Sequence, residues 1–174
     1  MTLEAASPKD EPWIRQLLTL CGLPQEDLTP QHFCHFFVMK ERERIIGVIG
    51  LEVLGQLALL RSLAVDPQYR NRGYASKLIR KAEGYAASLQ IVGLYLLTMT
   101  AERESFFAKR GYRKIGRNSA PLAIQGTTEF QGICPASSVC MVKELRRDCS
   151  EKSENSYKQT TTRQSRDQKK KNSS

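Results

Sequence analysis

The residues whose types and spacing best suit chemistry run from Leu63 to Ser76, as Leu63-Ala64-Val65-Asp66-Pro67-Gln68-Tyr69-Arg70-Asn71-Arg72-Gly73-Tyr74-Ala75-Ser76. An apolar run ends, Asp66-Pro67 turns the chain, a short polar loop follows, and helical sequence starts at a glycine. The first amides of a helix have no intrahelical partner and sit at the positive end of its dipole, so they favour an anion. Gly73 has no Cβ to hold a phosphate away from the backbone. Arg70 and Arg72 add positive charge, and Ser76 adds a hydroxyl within the first turn. This set suits a pyrophosphate.

The elements that must position this loop follow from periodicity. Asp10 with Pro12 starts a helix, carried on by Trp13, Ile14, Leu17 and Leu18 at helical spacing and stopped by Gly22 and Pro24. Thr29-Pro30 opens a short second turn. Phe36–Met39, the charged turn Lys40–Arg44 and Ile45–Val53 form an antiparallel hairpin rich in β-branched residues after the turn. Leu57 to Val65 is a third strand, apolar enough to be covered on both faces. After the loop, Ala75, Leu78, Ile79, Ala82, Ala86 and Leu89 make one helical stripe. Val92–Thr98 is a further strand, 101–110 a helix with Phe106 and Phe107 inward, and Gly111 its stop. Tyr112–Ile115 and Val139–Val142 close the sheet, joined by a long Gly-, Pro-, Ser- and Thr-rich loop. The fold class is therefore α/β (α+β): a mixed, mostly antiparallel sheet with one parallel, right-handed β-α-β crossover at its centre and helices on both faces.

The 174 residues allow one domain with a tail. The last 24 hold seven basic and three acidic residues, a net +4 of the total +9, and contain Tyr157 but no Leu, Ile, Val or Met. Such a stretch cannot bury enough apolar area to offset the entropy of ordering. We read residues 1–148 as the folded domain and 149–174 as a disordered basic tail. Basic residues in the body are spread out and not interleaved with aromatics, so nucleic acid is not the expected partner. No apolar run reaches membrane-spanning length and no secretory start is present, which gives the expectation of a cytoplasmic protein without a membrane partner. The five cysteines, Cys21, Cys34, Cys134, Cys140 and Cys149, are odd in number, lack a CxxC pair and lack zinc-site spacing. Reduced, buried thiols and no metal are expected.

With Arg70-Asn71-Arg72-Gly73-Tyr74-Ala75 behind Leu63-Ala64-Val65-Asp66-Pro67, the chain resembles the GNAT N-acetyltransferase superfamily, whose signature is Arg/Gln-x-x-Gly-x-Gly/Ala. Phe106-Phe107-Ala108-Lys109-Arg110-Gly111-Tyr112 is similar to the family's Phe-Tyr-x-Lys-x-Gly-Phe element. The resemblance covers about residues 1–146. Leu59–Val65 and Cys134–Met141 are similar to the arsenic-resistance N-acetyltransferase-like branch. The resemblance implies acetyl-CoA as co-substrate, its pantetheine arm along Leu63, Ala64 and Val65 and its pyrophosphate on the amides of Arg70, Asn71, Arg72, Gly73, Tyr74, Ala75 and Ser76, with Phe107 beside it. It also implies direct acetyl transfer to a primary amine of a small molecule, amino-acid-like or arsenical. The alternatives are a non-catalytic acyl-CoA sensor of the same fold and a protein N-acetyltransferase; a homodimer is left open.

Direct transfer needs a base for the amine, a donor for the thioester oxyanion and a proton for the leaving thiolate. Glu52, a carboxylate in an apolar strand, is the candidate base, since desolvation would raise its pKa; the alternative is a strand-end residue facing water. Arg61 and Ser62 interrupt the central strand and are candidates for orienting an acidic substrate group, or for an internal hydrogen bond or ion pair. The backbone near Leu63 or Val65 would hold the oxyanion. Phe107 stands where the family often has a tyrosine acid, which leaves Tyr112, water or an unprotonated thiolate. Cys134 and Cys140 are candidate thiolates for trivalent arsenic, or else packed core residues.

Removing residues 151–174 is expected to change the stability by less than about 0.5 kcal/mol, read by thermal unfolding; a larger loss would show the tail docked on the body.

Overall fold

The chain's longest apolar segments line up beside one another as strands of a single sheet. In a computed structural model, which describes residues 1–145, these are β1 (Thr2–Ala5), β2 (Phe36–Glu41), β3 (Arg44–Leu54), β4 (Leu57–Val65), β5 (Gly93–Thr98), β6 (Arg113–Ile115) and β7 (Val139–Glu144). The boundary expected after residue 148 and the basic tail lie outside the described residues. The sheet order is β1-β2-β3-β4-β5-β7-β6. Only β4 and β5 are parallel; every other neighbouring pair is antiparallel. Helix α1 (Glu11–Leu20), α2 (Pro30–Phe33), α3 (Tyr74–Ser88), α4 (Ala101–Ala108) and α5 (Leu122–Gln125) complete the fold. The class expected from the sequence is the one observed.

Alternation along the strands decides which helix covers which face. On β2, Phe37 and Met39 point to the face that packs Leu78, Ile79, Ala82 and Ala86 of α3, while Phe36 and Val38 point to Ile14, Leu17 and Leu18 of α1. On β5, Leu94 and Leu96 join the α3 side, and Tyr95 and Leu97 pack with Ile124 of α5 and Phe130 on the other. The sheet is thus covered on one face by α3 and α4, and on the other by α1 and α2 at one end and the β6–β7 connection at the other.

Three details differ from the sequence reading. β1 is an additional edge strand whose residues are mostly exposed, so it has no apolar alternation to betray it; Lys40 of β2 ties it in, reaching Glu4 at 2.9 Å and Asp10 at 2.8 Å. Trp13 and Leu89, placed on apolar stripes by spacing, are 59% and 40% exposed, because each stripe is wider than the surface it covers. The long connection from residue 116 to 138 is not a plain loop. It holds a 3-10 turn (Arg117–Ser119), α5 and a π-helical turn (Glu129–Ile133).

Gly50 of β3 lies against Phe36, which is fully buried. A Cβ built there would fall 2.0 Å from a Phe36 ring carbon, so the ring or the strand must move. Gly50→Ala is expected to destabilise by about 1–3 kcal/mol, as overpacking does in close-packed cores. Urea unfolding checks it, and an unchanged midpoint would contradict the packing described.

Candidate active site

The site begins where two strands separate. β4 and β5 pair only from Leu57–Gly93 to Leu59–Tyr95 and no further. On its other edge β4 pairs with β3, but Gly50 opposes Arg61 while Val48 opposes Ala64, which leaves one extra residue on β4. Ser62 takes up that residue in the left-handed region at φ 57°. A non-glycine residue held there costs of order 1 to 3 kcal/mol, and such strain persists only where surrounding structure fixes it. Between the separated strands lies a cavity of about 1100 Å³. Its walls include Arg61, Ser62, Leu63, Ala64 and Val65 of β4, and Leu96, Leu97 and Thr98 of β5.

One end of the cavity is the loop into α3. Asn71 (φ 61°) and Gly73 (φ 77°) are both left-handed, a backbone form that turns successive N–H groups into one concavity. Gly73 caps α3, and a Cβ built on it would meet no protein atom within 4 Å. The space beside it is open for an anion to approach the amides. Arg70, Asn71, Gly73, Tyr74, Ala75 and Ser76 all line the cavity. Arg70 is fixed by donating from Nε to the Val65 carbonyl at 3.1 Å. Arg72 does not line the cavity; its guanidinium lies over the Tyr69 ring at 5.4 Å, so its expected part narrows to its backbone. A residue that sequence reasoning passed over, Arg110, packs its guanidinium 3.5 Å from the Phe106 ring centre and donates to the Ser76 hydroxyl. Phe107 lines the cavity and is buried.

The other end is organised around Arg61, whose side chain is 1% exposed. Asp27, in the α1–α2 connection, accepts two hydrogen bonds from it, at 2.7 Å from Nη1 and 2.8 Å from Nη2. Glu52 of β3 accepts from Nη1 at 3.2 Å, and Glu129 Oε2 lies 3.1 Å from Nε. That last approach is an ion pair without hydrogen-bond alignment, since Nε has no aligned acceptor. Burial would raise the Asp27 carboxyl, but the hydrogen bonds and charge of Arg61 outweigh it and hold Asp27 below the usual carboxylate range. At Glu129 burial wins. Its carboxyl is pushed up despite Arg61, with the charges of Asp27 and Glu52 adding to the rise.

This geometry corrects several expectations. Glu52 is not a lone carboxylate in an apolar strand: it pairs with Arg61, approaches His32 Nε2 at 3.9 Å and does not line the cavity. Arg61 is enclosed by three carboxylates, so the internal ion pair left open by the sequence is what forms. Ser62 does line the cavity. Tyr112 is no acid for a thiolate there: its buried hydroxyl donates to Glu83 Oε1 at 3.1 Å, is pushed upward by burial and by that carboxylate, and lies outside the cavity wall. Of the four cysteines described, only Cys140 is buried, on β7; Cys21 and Cys134 are half-buried and Cys34 is exposed. The Cys134 thiol, pushed up to about 12 chiefly by burial, donates to Glu129 Oε1 at 3.7 Å.

Asp27, Glu129, Thr98 and Arg110 are the site residues that sequence reasoning missed. A signal for two of them existed. An arginine buried in an apolar strand must find carboxylates, and the connection from 116 to 138 contains a single acid, Glu129, while that from 21 to 35 offers Glu26 and Asp27. Thr98 carries a buried hydroxyl that has no hydrogen-bond partner among the described residues.

Residues 32–114, which hold the anion loop, the separating strands and α4, match the family model for the acetyltransferase (GNAT) domain. Over those residues the chain is similar to the GNAT acetyltransferase domain. An uncharacterized N-acetyltransferase of Chlorobaculum tepidum is 29% identical over 117 residues, 66% of this chain and 74% of that protein. Among solved structures, N-acetylglutamate synthase of Neisseria gonorrhoeae, complexed with coenzyme A and N-acetyl-glutamate, superposes with a TM-score of 0.71 at 21% identity. That match covers 84% of this chain and 35% of the synthase, so the chain spans about a third of its length. The ribosomal-protein-S18-alanine N-acetyltransferase of Escherichia coli gives a TM-score of 0.65 at 16% identity, covering 83% and 93%. The fold is thus the GNAT fold. None of these matches supports the arsenic-resistance branch in particular.

Gly73→Glu places a carboxylate in the anion concavity, where a Cβ meets no protein atom within 4 Å. The variant is expected to stay folded, with a midpoint a few degrees lower from left-handed strain, and to lose coenzyme A binding by isothermal titration. Unchanged affinity would contradict the site.

Proposed function

We propose that this protein transfers the acetyl group of acetyl-CoA directly to a primary amine of a small molecule. One observation carries the reading: a single cavity joins the anion-binding amides at the start of α3 to the strained, separated end of β4. The residues fit the donor. The amides from Arg70 to Ser76 would hold its pyrophosphate, the open side of Gly73 admits it, and Arg70 and Arg110 add positive charge. The unpaired edge of β4 from Leu63 to Val65 would pair with the pantetheine amides. Backbone N–H groups turned out at the Ser62 distortion would face the thioester oxygen as it gains negative charge. The solved relative from Neisseria gonorrhoeae, complexed with coenzyme A, supports this use of the shared fold.

The acceptor is best read as a small amine that is not recognised through a carboxylate of its own, because Arg61 is already engaged by Asp27, Glu52 and Glu129. The same enclosure weakens the amino-acid-like reading. Arsenic chemistry would need thiolates, whereas burial pushes both the Cys134 and the Cys140 thiols up and Cys140 packs against Leu59, Ile124 and Phe130. Phe107 offers no proton to a leaving thiolate, but the attacking amine carries one, so the replacement of tyrosine does not by itself turn the site into a sensor.

A thermal-shift titration with acetyl-CoA, repeated with a panel of cationic, neutral and anionic primary amines while free thiol is recorded, tests the proposal. Stabilisation by about 2.7 kcal/mol at a hundredfold excess over Kd is expected, with thiol release for at least one amine. Stabilisation with no thiol release for any amine would instead favour an acyl-CoA sensor or a protein acceptor. No stabilisation would overturn the donor site itself.

A further inference from the structure

We infer that Glu129 is the catalytic residue that takes the proton from the acceptor ammonium. The inference rests on the transferase reading above and adds to it the identity of the base. Position comes first. Glu129 opens the π-helical turn, an irregularity often found at functional sites. It lies in the cavity wall with Arg61 and Ser62 of β4 and Thr98 of β5, where the strands have parted and the thioester is expected.

Hydrogen bonding comes second. Of the three carboxylates around Arg61, Asp27 is held by two aligned bonds and Glu52 by one, while Glu129 has only the unaligned approach to Nε and a long thiol contact from Cys134. A carboxylate offers about four acceptor positions, so Glu129, which faces the cavity, retains room for the N–H of a substrate, whereas Asp27 does not line the cavity.

The third observation is the divergence of these two acids. Asp27 is held low and Glu129 is pushed up around the same guanidinium. Paired groups whose surroundings drive them apart mark an acid–base assignment, here a fixed counter-ion for Arg61 and a proton acceptor. The charged and titratable groups facing Glu129 are Arg61 of β4, Asp27 before α2, Glu52 of β3 with His32 behind it, Cys134 of its own segment, and Arg117, which acts on Cys134.

The ammonium gives one proton to a Glu129 oxygen. The freed nitrogen lone pair forms the N–C bond at the thioester carbonyl, whose π electrons move to oxygen. Collapse breaks the C–S bond, and its electron pair leaves on the coenzyme A sulfur. A second amine proton neutralises that sulfur, and Glu129 returns its own proton to water, so one proton is released overall.

The test uses Glu129→Gln in the full chain. CoA release is followed against pH with the amine that wild type uses fastest, with hydroxylamine (uncharged near neutrality), and with water as the acceptor. The wild-type rate is expected to fall as pH drops through the raised carboxyl range. In the variant the alkylamine rate falls about 100-fold or more, the acid limb disappears, hydroxylamine transfer falls much less, and acetyl-CoA affinity stays within about twofold. If Glu129→Gln does not fold, Glu129→Asp is used, and a retained acid limb with a reduced rate is expected. An active variant with an unchanged acid limb, or equal losses with both nucleophiles, would overturn the role of Glu129 and leave the transferase reading standing. A wild type that binds acetyl-CoA but releases CoA to neither amine nor water would remove that reading instead.

Discussion

Everything at the site depends on β4 losing its partner after Leu59. A parallel neighbour continued to Thr98 would use the N–H and C=O groups of Leu60 to Val65 in a ladder, and no cavity would exist. The extra residue at Ser62 keeps the separation in place, because the register with β3 on either side of it can be satisfied only if β4 bends there. The central strand thus works as sheet in its first half and as a binding edge in its second. The cost of a left-handed serine is borne by the packing of Leu59 and Leu60 into two cores on opposite faces.

Electrostatics divides the cavity into two ends of opposite character. Toward α3, Arg70, Arg110 and the unpaired amides present positive potential. Toward the β6–β7 connection, three carboxylates surround one arginine. Burying Arg61 alone would be prohibitive, and burying it with one carboxylate would leave donors unpaired. Asp27 and Glu52 meet most of its hydrogen-bonding demand, which leaves Glu129 beside the guanidinium but geometrically available. This is a division of labour within one cluster, and it places a proton-accepting group opposite an anion-binding one across the same space.

The anion loop was legible because it breaks periodicity: a nearly continuous apolar strand, a polar loop and a glycine-started helix are separate local signals. The strands from Phe36 to Thr98 and the stripe of α3 were legible for the same reason. β1 was not, since Thr2–Ala5 is mostly exposed and shows no alternation. The insertion of β7 between β5 and β6 was not, since strand order is set by long-range pairing that three exposed residues, Arg113–Ile115, cannot announce. Glu52 looked like a lone carboxylate because its partners arrive from elsewhere. Asp27 and Glu129 come from connections 34 residues before and 68 after Arg61, and only the fold brings them onto one guanidinium.

The measurement that bears most directly on this account is a crystal structure of the protein with acetyl-CoA. The pyrophosphate is expected on the amides between Arg70 and Ser76, the pantetheine arm along Leu63 to Val65 in the gap left by β5, and the acetyl carbon on the Glu129 side of Ser62. A pyrophosphate bound elsewhere, or a cavity closed by β5 zipped onto β4, would contradict it.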